Sequence, residues 1–433
     1  RNDAELLSKR GQAAVGKGSD RIIWDIISSL WHSETNPGGF VSVGVAENSL
    51  MHDVLLEFLH ANIKVPASYL TYNDGGMGSN RLRKAVAHFL NRQLHPHRQI
   101  EPSHVVVTNG CSSAVEQLSW LLAEPGEGVL LGRPYYGTFI GDISLRPGAA
   151  VVPVDFVDVD PLGPAAVAQY EKALIEFEKN TGKRVRAVML CHPHNPLGRC
   201  YPRSVIIELM KFCQAHRLHL ISNEIYALSV WENRVDPDAQ TTRFDSVLSI
   251  DTTNLIDPAL VHVLWGMSKD FGANGLRVGA IISQSNPDLH IALKSTALYS
   301  YISGLSDQIT ASLLLDDAFT DRYVQQNREK LSQAHEFAAR LLQKHNIEYM
   351  HGCNAGFFLW VNLGKKYLEL NPGVDEASID LTATIMQKLL DQKVFLANGT
   401  GFGSEKSGWF RIIFAHPIPY LEEAMKRILV AIA

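Results

Sequence analysis

The chain has 433 residues, 46% hydrophobic and 20% charged, with a formal net charge of -5. That length supports two or three structural units around a large core, and the balance argues against disorder. No basic patch dominates and no apolar run reaches the length of a membrane span, so neither nucleic acid nor a membrane is an expected partner.

The five cysteines, Cys111, Cys191, Cys200, Cys213 and Cys353, are scattered, odd in number and free of any CxxC spacing. They suggest no metal site and no disulfide framework, and a cytoplasmic compartment is expected. The chain opens on Arg1 rather than Met, which leaves room for a preceding segment.

In chain order, the portion up to about Ile63 is expected to pack with a second, C-terminal domain. Seven short runs rich in Val, Ile and Leu follow: His104–Thr108, Val129–Gly132, Ala150–Val154, Arg186–Leu190, Leu218–Asn223, Val261–Trp265 and Val278–Ile282. They are apolar on both faces, as strands covered by helices on both sides should be. Helical patterns such as Ser113–Leu122 and Ser204–His216 lie between them. This alternation predicts an α/β fold with a mostly parallel seven-stranded sheet, with binding residues beyond the carboxyl ends of its strands. Val157–Pro164 and Asn233–Thr242 read as loops. Phe319–Asn346 reads as a long charged helix with Tyr323, Leu331, Phe337 and Leu341 as its buried positions. A helix at Leu381–Lys393, a strand at Gly408–Ala415 and a last helix at Leu421–Ile432 complete a smaller α+β domain. The expected division is residues 64–318 for the large domain, with 1–63 and 319–433 forming the small one.

One segment is the most informative, Trp265-Gly-Met-Ser-Lys-Asp-Phe-Gly-Ala-Asn-Gly-Leu-Arg-Val-Gly279. An apolar run ends in small residues and delivers Lys269, and Arg277 follows eight residues later. A lysine at a strand end can form a Schiff base with an aldehyde cofactor, and a nearby arginine can clamp that cofactor's phosphate. Taken alone, Ser268-Lys269-Asp270 fits a surface turn better.

Other segments shift that balance. At Thr108-Asn-Gly-Cys111-Ser112-Ser a strand runs into a helix start, where backbone N–H groups and hydroxyls can hold a phosphate. Arg133-Pro-Tyr-Tyr136-Gly ends another strand in two aromatics, one of which could stack on a ring. In His192-Pro-His194-Asn195-Pro-Leu-Gly198, an Asn amide could donate to a phenolate, although Asn-Pro is also a common turn opener. The two histidines lack a third metal ligand and read as structural. Ser222-Asn223-Glu224-Ile225-Tyr226 closes a further strand. Arg411 sits inside the apolar run Trp409–Phe414, where a buried cation needs a partner: a substrate carboxylate or an internal acid.

The order of these segments resembles the class I/II aminotransferases of pyridoxal 5'-phosphate (PLP) fold type I over nearly the whole chain. Gly44-Val-Ala-Glu47-Asn48, Asn195-Pro-Leu-Gly198 and Ser268-Lys269-Asp270 are similar to the 1-aminocyclopropane-1-carboxylate (ACC) synthase-like branch, the first string matching its GLAEN box. The resemblance implies that Lys269 binds the cofactor covalently and then serves as acid and base at the substrate Cα. It implies that Asn195 and Tyr226 contact the phenolic oxygen and that Tyr136 stacks on the ring. Arg277, Ser268, Ser112 and the Cys111 backbone would hold the phosphate. Arg411 would bind the substrate carboxylate, and Glu47 would lie near a cationic substrate side chain.

Three departures stand out. Asn223 occupies the position where the family places an aspartate against the pyridine nitrogen, and an amide weakens the electron sink. Gly266 replaces a frequent Ser or Thr, removing one phosphate hydroxyl. The branch's D-Y-H-G segment, whose tyrosine reaches a neighbouring subunit, has Tyr72 as its nearest counterpart. The implied partners are an amino-acid substrate and a second copy of the chain, as a homodimer with shared active sites. The leading expectation is a lyase that eliminates at the β or γ carbon, with a carbon–sulfur bond first. Such a protein resembles the carbon–sulfur lyases of fungal specialised metabolism as much as the hormone-forming enzyme. An aminotransferase and a catalytically impaired homologue are the alternatives.

Overall fold

The computed structural model describes residues 6–19 and 22–433. Its centre is a seven-stranded sheet: β1 (Val105–Thr108), β2 (Gly128–Gly132), β3 (Ala150–Val154), β4 (Val185–Cys191), β5 (His219–Asn223), β6 (Val261–Gly266) and β7 (Gly279–Ile282). The spatial order is β1-β7-β6-β5-β4-β2-β3. Every neighbouring pair is parallel except the two made by β7 with β1 and β6, so only β7 runs backwards. All seven strands fall where the sequence predicts them, within a residue or two.

Both faces of this sheet are buried, which accounts for its continuous apolar runs. Leu130, Val188, Leu220 and Val263 enter one core with Trp265 and Phe271. Their chain neighbours Leu131, Met189, Ile221 and Leu264 enter the other, shared with the C-terminal domain. Strand alternation splits these adjacent residues between the two cores.

The reversal of β7 positions the site. Only a four-residue helix, Met267–Asp270, and a short turn, Asn274–Leu276, join β6 to β7. After this link the chain returns antiparallel, with Gly266 opposite Gly279. Lys269 and Arg277 therefore emerge on the same edge of the sheet. The carboxyl ends of β1, β2, β4 and β5 face that edge too.

The smaller domain carries a four-stranded antiparallel sheet: β8 (Glu348–Tyr349), β9 (Phe358–Asn362), β10 (Ala397–Asn398) and β11 (Trp409–Ile413), in the order β10-β11-β9-β8. Arg411 is on β11, opposite Trp360 on one side and Ala397 on the other. The N-terminal portion divides its contacts. Val41–Ser42 pairs in parallel with Val394–Phe395, whereas Met51 and, from the helix His52–Asn62, Leu55 and Phe58 enter the core that holds Leu130, Trp265 and Phe271. The long helix spans Asp317–Lys344 and buries Tyr323, Leu331, Ala338 and Leu342. Phe337 and Leu341 are only half-buried, because small alanines at 334, 338 and 339 face the sheet and leave the larger residues at the rim.

Candidate active site

A cavity of about 180 Å³ opens at the carboxyl edge of the sheet. Cys111, Ser112, Tyr136, Asn195, Asn223, Tyr226, Ser268, Lys269 and Arg277 all line it. These side chains come from five strand ends and lie up to 166 positions apart in the chain (277 - 111).

Lys269 is the candidate reactive group in this cavity. Its Nζ donates to the Ala46 carbonyl at 2.5 Å, in the segment carrying Glu47. Burial lowers its pKa to about 8, the Arg411 and Arg277 guanidiniums add to this, and Glu47 opposes it. A substantial fraction of a nucleophilic neutral amine therefore exists near neutral pH. Its neighbour Asp270 points the other way and anchors the turn. Its carboxylate accepts from Ser229 Oγ at 2.8 Å, Trp265 Nε1 at 3.1 Å and the Leu228 N–H at 3.2 Å.

An anion cradle lies beside the lysine. The helix Cys111–Leu122 starts at Gly110, whose φ of 107° is open to glycine but strained for other residues. A Cβ on Gly110 would also run into the Arg277 guanidinium. The first turn directs free backbone N–H groups, with Ser112, into the cavity. Arg277 and Ser268 complete the cradle, with Arg277 Nη1 steadied by the Asn274 carbonyl at 2.9 Å. These groups fit a phosphate next to an aldehyde that the lysine can reach. At Gly266 a Cβ would sit 2.6 Å from the Val278 carbonyl oxygen, so the backbone here leaves no room for a side chain.

Arg411 is 2% exposed. Its Nη1 donates to Asn195 Oδ1 at 3.0 Å and its Nη2 to the Gly44 carbonyl at 2.6 Å, while Nε has no partner. The guanidinium carbon lies 4.8 Å from the centre of the Phe402 ring and 6.0 Å from that of Tyr136. No acid pairs with it among the described residues, which removes the internal ion-pair alternative. Of its five N–H donors, three are left for a ligand. Because Asn195 Oδ1 faces Arg411, Asn195 Nδ2 is left to donate elsewhere. Tyr226 is wedged between Phe357 and Phe358 at ring separations of 5.3 and 5.2 Å. Burial raises its phenol well above the ordinary value, keeping it a neutral donor.

Glu47 lies at the edge of this group, accepting from Asn274 Nδ2 at 2.8 Å. Tyr72 does not join the cavity. It is 79% exposed, its ring 6.2 Å from that of Tyr301, whose hydroxyl donates to the Tyr72 carbonyl. His192 and His194 are both buried. The His192 ring contacts the Asp245 carbonyl at 3.0 Å and the Tyr201 N–H at 3.3 Å, and burial lowers the two rings to about 4 and about 3. All five cysteines are free and buried. Among the described residues no three His, Cys, Asp or Glu side chains are placed to hold a metal ion.

Sequence reading missed several lining residues, including Cys191, Ile225 and Asn274. Cys191 and Ile225 are legible afterwards. Cys191 ends its strand in register with Asn223, and Ile225 lies in the turn that follows, its N–H held by Asn223 Oδ1.

This fold is shared with known proteins. An aspartate aminotransferase from Thermus thermophilus with maleate superposes with a TM-score of 0.72 at 18% identity, covering 99% of this chain and 100% of that one. The architecture is PLP fold type I. Residues 43–428 match the family of class I and II aminotransferases. The probable aminotransferase gliI of Aspergillus fumigatus is 36% identical over 399 residues, 90% of this chain and 88% of that protein. A human protein named as a probable inactive ACC synthase-like protein 2 is 32% identical over 405 residues, 92% of this chain and 68% of that protein. The chain belongs to the class I and II aminotransferase family, on its ACC synthase-like branch.

Proposed function

We propose that the protein is a PLP-dependent lyase that acts on an α-amino acid and breaks a bond at its β or γ carbon, a carbon–sulfur bond being the leading case. The observation that carries this reading is the convergence of a lysine of lowered pKa and an anion cradle in one cavity, with the buried Arg411 alongside through Asn195. When bound, the cofactor supplies an electron-withdrawing ring conjugated to the substrate nitrogen. The chain supplies the rest. Arg277, Ser268, Ser112 and the helix start hold the phosphate. Asn195 Nδ2 and the Tyr226 hydroxyl donate to the phenolic oxygen, and Tyr136 covers one ring face. Arg411 orients the substrate by its carboxylate, and Lys269 moves the proton at Cα. Glu47, beside Asn274, meets a positively charged group on the substrate side chain.

Residues 64–318 form the cofactor-binding unit in this proposal, and the working form is a homodimer. Leu70, Tyr72, Leu298 and Tyr299 are all more than 70% exposed around one region, an apolar surface suited to a second copy. Transamination is the second reading, favoured by the aminotransferase name of the Aspergillus relative. An impaired homologue is the third, favoured by Asn223 and by the human relative named inactive. Retention of Lys269, Arg277 and Arg411 weighs against it.

The test has two parts. Protein reconstituted with PLP should absorb visible light, and borohydride reduction with peptide mapping should place the label on Lys269 and lose it in Lys269→Ala. Incubation with S-substituted cysteines, S-adenosylmethionine and common amino acids should then release a sulfur fragment detected by mass spectrometry. Formation of keto acid and pyridoxamine phosphate instead would select transamination. No cofactor at Lys269 would overturn the proposal.

A further inference from the structure

The cavity floor differs in charge from its rim. A pyridoxal ring carries its nitrogen directly across from its aldehyde carbon. With the aldehyde carbon at Lys269 and the phosphate arm in the Arg277 cradle, that nitrogen would turn toward the ends of β4 and β5. There Cys191 and Asn223 stand side by side in register.

The orientation of the Asn223 amide is fixed by its own chain. Asn223 Oδ1 accepts the Ile225 N–H at 3.3 Å. A flipped amide would put NH₂ against that N–H, two donors facing each other. Asn223 Nδ2 is therefore the end turned to the cavity that Asn223 lines.

The two acids that follow these strands, Glu224 and Asp270, are engaged elsewhere. Glu224 projects to the opposite side of the strand, where Ser246 Oγ at 2.6 Å, the Val247 N–H at 2.9 Å and Ser222 Oγ at 3.1 Å satisfy it. Asp270 is held by Ser229, Trp265 and Leu228. Asp142 lines the cavity from the helix Thr138–Ser144, where its charge acts on Cys111. Cys191 stays a neutral thiol, burial raising it to about 12 against the pull of Arg411 and Lys269. A positive charge on the ring nitrogen would meet a donor, with the Arg411 guanidinium close enough to act on Cys191.

We infer that Asn223 donates its Nδ2–H to the cofactor's pyridine nitrogen and keeps that nitrogen unprotonated and hydrogen-bonded. This rests on the PLP reading above and deepens it. An unprotonated ring withdraws electrons from the substrate Cα less strongly. When Lys269 takes the Cα proton, the electron pair of the broken C–H bond is best used at once, forming a Cα–Cβ double bond as a β-substituent departs with its own bonding pair. Substrates bearing a good β-leaving group are thereby favoured over those that must store charge on the ring.

The test is solid-state NMR of the holoenzyme carrying ¹⁵N-labelled PLP. The ring nitrogen should resonate between free and protonated pyridine and hold that position from about pH 6 to 9, a span covering the usual titration of pyridine-like and imidazole groups. Asn223→Asp should move it to the protonated value, and Asn223→Ala to that of a free pyridine. Label bound at Lys269 with a protonated ring nitrogen in the unaltered protein would refute the inference alone, as would a signal unmoved by either substitution. Protein that takes up no labelled cofactor would refute the PLP reading and this inference together.

Discussion

Replacing Arg411 probes the substrate clamp and separates it from the cofactor site. The guanidinium already spends two N–H donors within the protein, on Asn195 Oδ1 and the Gly44 carbonyl, and leaves three, one of them the partnerless Nε. A carboxylate can take two of these at once. Truncating one partner of a buried, hydrogen-bonded charge pair costs about 2–5 kcal/mol. At 1.4 kcal/mol per tenfold, Arg411→Ala should weaken substrate binding by roughly 30-fold to a few thousand-fold. The same change strips the buried Gly44 carbonyl of its donor, a loss of about 1–3 kcal/mol in stability. Arg411→Lys, which keeps a charge but cannot form the two-pronged contact, should recover stability more fully than KM. The assay compares KM for an accepted amino acid, cofactor Kd by absorbance and Tm across the three forms. A fall in cofactor affinity with KM unchanged would refute the clamp and make Arg411 a support for Asn195.

Glu47→Gln keeps the oxygen that accepts from Asn274 but removes the charge, so it should raise KM for S-adenosylmethionine or an aminoalkyl substrate more than for a neutral thioether; equal losses would mean a structural role. Acid should unfold the protein earlier than its carboxylates alone would require. Burial lowers His192, His335 and His416 to about 4 and His194 and His262 to about 3, so the unfolded chain binds these protons more tightly. Their stability is whole above about pH 6.5 and is lost as pH falls from there toward the folded values. Glu224 and Asp270, raised by burial to about 7, act in the opposite sense over part of this range but are outnumbered. Tm should decline between about pH 6.5 and 4, and a flat profile would show that these imidazoles gain access to water without unfolding.

The sequence alone determined the strands. Buried parallel strands need apolar side chains on both faces, so each appears as an uninterrupted run that no exposed segment imitates. It also marked the residues at strand ends, because small residues, Asn-Pro and a lone Lys or Arg break those runs visibly. Nine of the residues chosen this way line one cavity, and Glu47 and Arg411 adjoin it through Asn274 and Asn195.

Tertiary structure decided what pattern cannot encode. The antiparallel direction of β7 is not written in its apolar run, and that direction brings Arg277 back to Lys269. In the helix Asp317–Lys344 a periodic pattern offers several candidate buried positions, and the close approach of the neighbouring sheet selects alanines over Phe337 and Leu341. Arg411 was legible as a buried cation, but its partners were not: Asn195 and Gly44 lie 216 and 367 positions away and meet it only in the folded chain. The same holds for Asn223. Its letter is visible in the chain, but which end of its amide faces the cavity follows from the backbone N–H of Ile225, a matter of hydrogen-bond geometry and not of residue type.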